Sequence, residues 1–127
     1  MYIALKHAHT LTAALTVLLT VIWSIWAWRS RTAATGLAGK DKAIYVAHRI
    51  VAGLAGITGL AVTFVGPWRA MLFPYIGLAA FVMHGLAAGA SKRFFSSEAD
   101  AAKRRVALLI QVAALGISAF VMAAKPF

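Results

Sequence analysis

The chain has 127 residues, of which 62% are hydrophobic and 13% charged, with thirteen Lys and Arg against three Asp and Glu and no Cys. A soluble domain of this length has too much surface to hide so much apolar side chain, so a bilayer must supply the missing burial. The absence of Cys excludes disulfides, thiolate zinc sites, thiolate-ligated iron–sulfur clusters and covalently attached c-type haem.

Four apolar runs predict an all-α integral membrane four-helix bundle with antiparallel up-down topology, forming one transmembrane domain over 1–127. The first helix is expected at about 3–28. The opening Met1-Tyr2-Ile3-Ala4-Leu5-Lys6 lacks a basic n-region and a small-residue cleavage site, so Met1 reads as the mature start and the first run as a retained helix. A basic loop at 29–42 containing Gly36 and Gly39 follows. The second helix is expected at about 43–65, stopped by Gly66-Pro67. Trp68 and Arg69 mark an interface. The third helix is expected at about 70–91 with Pro74 in its first turn, where a missing N–H costs little. Residues 92–105 are basic and polar, and Ser96-Ser97-Glu98-Ala99-Asp100 resembles a helix start. They predict an amphipathic lead-in to a fourth helix at about 106–124.

The basic residues set the expected orientation. Arg29, Arg31, Lys40, Lys42, Lys92, Arg93, Lys103, Arg104 and Arg105 lie in the two loops, against Lys6, Arg69 and Lys125 on the other side. The positive-inside rule predicts a bacterial inner-membrane protein with both termini periplasmic and both basic loops cytoplasmic. The positive charge is thereby used for topology, so the expected partners are the lipid bilayer, other membrane subunits or further copies of the chain, and not nucleic acid. Trp23, Trp26 and Trp28 read as an aromatic belt at the inner interface.

Ionisable groups inside membrane spans are expensive, which singles out His7, His9, His48 and His84. Imidazole holds haem iron, copper or zinc, and relays protons near neutral pH. His48 lies six residues after Lys42 and His84 eight before Lys92, or about 9 and 12 Å along antiparallel helices. The two therefore reach nearly one depth, with His7 and His9 roughly 20 Å away toward the other face. His9 shares a helical stripe with Thr12, Thr16, Thr20 and Ser24 and is predicted to point inward, with His7 on another face.

His48 shares a stripe with Ala52, Ala55, Gly56, Gly59 and Thr63, and His84 with Gly77, Ala80 and Ala88. Such small residues serve either close helix packing or a groove for a flat macrocycle with two axial imidazoles. Arg49 is either a cation reaching the headgroups or a partner for a haem propionate. Copper or zinc at His7 and His9 is a further possibility, although side chains two residues apart on a helix diverge by about 200°. No Asp or Glu lies within a span, so a carboxylate acid–base pair is absent.

Tyr2-x-x-x-Lys6-x-x-His9 and Val82-Met83-His84-Gly85 resemble HemJ-type protoporphyrinogen oxidases, and His7-x-His9 with His48 resembles SirB-type proteins. Both belong to a loose superfamily of small membrane proteins that includes the membrane domain of CopD copper-resistance proteins. The HemJ-type resemblance implies b-type haem, with His9 and His84 as candidate ligands. The CopD-like resemblance implies copper at His7 and His9. At the start of the third helix only Arg69 stands near the basic residue of the HemJ-type pattern.

The sequence thus frames three expectations. One is a bis-His haem b protein using His48 and His84 for electron transfer or tetrapyrrole redox chemistry. The second is a non-catalytic accessory subunit or assembly factor of a membrane complex, and the third is a copper-handling protein.

Overall fold

The computed structural model describes residues 1–29, 39–95 and 98–126. Four helices make the fold: α1 (Tyr2–Arg29), α2 (Gly39–Val65), α3 (Phe73–Arg93) and α4 (Ala101–Ala124). All four are long and apolar enough to cross a bilayer, and the chain is a multi-pass membrane protein. Within lipid a backbone must satisfy its own N–H and C=O groups, and uninterrupted helices do so.

The boundaries follow local chemistry. Gly39, at φ +57°, opens α2 four residues earlier than the apolar run implies, and Asp41 stands in its first turn near the positive end of the helix dipole. Lys40 and Lys42 are thus helical residues, not loop residues. After Gly66, residues Pro67–Ala70 form a 3-10 turn and α3 begins only at Phe73, with Pro74 in its first turn as expected. The fourth helix starts at Ala101, so the lead-in is continuous with it. Gly36, Ser96 and Ser97 lie outside the described residues. Lys125, at φ 47°, closes α4 by donating its N–H to Val121 O at 2.9 Å, and Pro126 follows.

Backbone contacts are dense within α1–α2 and within α3–α4 and sparse between α2 and α3. The bundle is therefore two antiparallel hairpins laid against each other. Long apolar side chains such as Leu11, Leu18, Ile57, Leu86, Leu109 and Phe120 point outward, where lipid takes the place of a protein core.

Each end has its own aromatic layer. At the end bearing the termini, Trp68 Nε1 donates to Tyr2 OH at 2.8 Å, and the Lys125 ammonium lies 4.9 Å from the centre of the Trp68 ring. At the loop end, Trp23 packs among Ala27, Tyr45, Phe95 and Leu108. Trp23 is 0% exposed, which corrects its assignment to an interfacial belt; Trp26 and Trp28 remain partly outside. The reason is rotational: Trp23 shares the inward stripe with Thr16 and Thr20, and its Nε1 donates to Ser91 Oγ at 3.3 Å on α3. Arg104 is also buried, with its guanidinium 5.0 Å from the Phe95 ring centre, and is not a loop cation.

Candidate functional site

Between the aromatic layers the two hairpins meet through histidine. His48 on α2 and His84 on α3 are both 0% exposed, and their Nε2 atoms lie 3.2 Å apart. Depth matching from sequence therefore holds, and the stripes of small residues let the hairpins approach closely enough for direct contact. The rings stand at 74° to each other, and Phe81 stacks on His84 with centroids 5.5 Å apart.

The surrounding hydrogen bonds orient both rings. His84 Nδ1 lies 3.1 Å from the backbone oxygen of Gln111 on α4. A carbonyl only accepts, so Nδ1 carries the proton and His84 Nε2 presents its lone pair. Any proton held between the two rings then sits on His48 Nε2, which also contacts Thr20 Oγ1 on α1 at 2.9 Å. All four helices thus touch one point. His48 Nδ1 and the Gln111 side-chain amide are buried without a hydrogen-bond partner.

The interaction energy of the pair does not by itself account for these residues. An interhelical hydrogen bond in a bilayer contributes about 0.6 kcal/mol on average. Packed apolar side chains would hold the hairpins together as well, without placing imidazoles in hydrocarbon.

The other candidates lie apart. His9 points inward as expected: its Nδ1 is 3.1 Å from Ala55 O and 3.3 Å from Thr58 Oγ1 on α2. It stands eleven residues before Thr20, about 16 Å along α1 and outside the histidine pair. His7 is exposed on a different face, so His7 and His9 do not converge on one ion. Arg49 reaches across to α3 and donates to Gly85 O at 2.7 Å, making a second link between hairpins.

A haem does not fit between His48 and His84 in this arrangement. Two axial imidazoles sit on opposite sides of the iron, with nitrogens about 4 Å apart at metal–nitrogen bonds of about 2 Å. Here the nitrogens touch, and Thr20 fills the adjoining space. A single ion fits better. Two imidazoles at a tetrahedral angle have nitrogens about 3.3–3.4 Å apart for bonds of 2.0–2.1 Å. The Gln111 carbonyl behind His84 is the type of outer partner that orients a metal-bound imidazole. With an ion on both Nε2 atoms the proton of His48 would be on Nδ1. Among the described residues no group of three or more His, Asp or Glu converges, so the centre offers two imidazoles and a hydroxyl.

No family model matches the chain, and no curated protein or solved structure matches it.

Sequence reasoning found the pair but missed two of its supports. Thr20 was legible only as a stripe member. The Gln111 contact is made by a backbone oxygen, which carries no side-chain signal at all.

Proposed function

We propose that this chain is a small inner-membrane protein that holds one transition-metal ion, copper or zinc, on His48 and His84 within the bilayer. The observation supporting this most directly is the 3.2 Å separation of the two Nε2 atoms at a point reached by all four helices. Imidazole suits both metals. Metal capture and transfer is the corresponding role, in line with the CopD-like resemblance but at the inner pair instead of His7 and His9.

The test is metal analysis and absorption spectroscopy of protein purified in detergent after growth with copper, zinc and a haem precursor. The expected result is about one metal ion per chain, lost in His48→Ala and His84→Ala and kept in His7→Ala. A second reading, bis-His haem, draws on the two buried imidazoles facing each other from opposite hairpins and requires the hairpins to move apart from this arrangement. A Soret band that disappears with either substitution would establish that reading and sink the single-ion one. Neither metal nor haem would leave an accessory subunit whose histidines clasp two hairpins.

The orientation proposed is termini periplasmic and basic loops cytoplasmic. Reporter fusions at Gly36 and Ser97 are expected to behave as cytoplasmic, and periplasmic activity at both would reverse it.

A further inference from the structure

Between the histidine pair and the terminal end of the bundle, the four helices line a partly open cavity of about 110 Å³. Its wall is mostly apolar, and its polar members are His9, Thr16, Thr63 and Ser118. Each hydroxyl proton is already committed to a backbone oxygen: Thr16 Oγ1 donates to Thr12 O at 2.7 Å, Thr63 Oγ1 to Gly59 O at 2.9 Å, and Ser118 Oγ to Gly77 O at 2.9 Å. His9 Nδ1 faces the Ala55 carbonyl, so its proton is committed too and Nε2 is bare. Met122 adds a thioether. The polar side chains of this wall therefore offer lone pairs and no free proton. Such a wall favours cations and disfavours anions.

The donors narrow the class further. Imidazole nitrogen with thioether sulfur favours a soft ion, and the wall holds no carboxylate to neutralise a second charge. Lys6 and Lys125 stand at a larger void of about 330 Å³ toward the terminal end, where they repel a divalent ion more strongly than a monovalent one. That void shares His9, Gly59, Pro74 and Met122 with the inner cavity, so His9 stands at the junction. At the opposite end, Phe81 lines the cavity and stacks on His84, and Thr16 lies one turn from Thr20.

We propose that this cavity is a transit site for one soft, singly charged metal ion, which reaches His48 and His84 from the terminal end with His9 and Met122 as its first ligands. The proposal rests on the metal reading of the pair. It also selects copper in its +1 state over zinc. The cavity admits an ion with a few waters and excludes a tetrapyrrole by size.

Two experiments on the full chain test it. In the first, uptake of Cu(I), with Ag(I) as a redox-inert substitute, is followed by competition with a coloured chelator. His9→Ala, Met122→Leu and Gly59→Leu are each expected to slow uptake by about tenfold or more, the last because a side chain there meets His9 Cε1 at 3.0 Å. Wild-type rates in all three would overturn the transit site while leaving the pair intact as a metal centre. A wild-type chain that takes up neither ion would instead overturn the reading of the pair.

The second experiment is independent of metal and of the fate of Gly59→Leu. Because the chain has no Cys, Thr16→Cys and Ser118→Cys each create a unique thiol. In oriented proteoliposomes both should react with a small neutral methanethiosulfonate faster from the terminal side than from the loop side. Equal rates from the two sides, or no reaction from the terminal side, would overturn the proposal.

Discussion

Removal of either imidazole at positions 48 and 84 is expected to weaken metal retention by more than about 100-fold, exceeding the 10–100-fold that loss of an outer-shell partner brings. One imidazole and the Thr20 hydroxyl cannot hold the ion that two imidazoles and the hydroxyl hold. The double variant should be no worse than either single one, because the two nitrogens act as one unit. The fold should survive: each substitution removes two polar contacts of about 0.6 kcal/mol each and leaves a cavity beside the other imidazole. Circular dichroism close to that of the wild type, together with lost metal, separates a ligand from a structural clasp. Thr20→Val should have a smaller effect, because a hydroxyl is the weakest donor of the three. If His48→Ala retained metal at the wild-type level, the centre would lie elsewhere. His9→Ala in the same assay would then identify it, since His9 is the other inward imidazole.

The depth of His48 and His84 was legible because a helix rises by a fixed amount per residue, and the charged flanks of α2 and α3 give a shared origin. The inward direction of His9 was legible for the same reason, from the threonine stripe. What the sequence did not reveal depends on how one hairpin seats on the other. Trp23 carries the same residue type as Trp26 and Trp28, and only its rotational phase distinguishes a core ring from an interfacial one. Arg104 reads as one more loop cation until α4 begins at Ala101 and turns it onto Phe95. Met122 carries no polar signal and enters the cavity only because Gly77 on α3 leaves room for it.

Trp23→Ala is expected to be the most destabilising single substitution at the loop end, at about 2–4 kcal/mol. The indole is 0% exposed and touches two other helices or their flanks: Tyr45 on α2 at 5.1 Å edge-on, and at the end of α3 both Phe95 at 6.3 Å and Ser91 through the Nε1 hydrogen bond at 3.3 Å. In water, truncating a buried Trp costs about 3–5 kcal/mol, part of which is transfer from water. In a bilayer that part shrinks, because lipid tails are also apolar, and the lost packing dominates. Trp23→Phe keeps most ring contacts but leaves Ser91 without its donor, so a loss of about 1 kcal/mol is expected. Trp28→Ala is the control: the ring is 40% exposed and its main polar contact is the Arg105 guanidinium 5.4 Å away. Its loss should be no more than about 0.5–1 kcal/mol. Unfolding by titration with sodium dodecyl sulfate, followed by circular dichroism so that the loss of a fluorophore does not matter, gives the three values on one scale. If Trp23→Ala matched Trp28→Ala, Trp23 would not be the packing centre that ties α1 to the opposite hairpin.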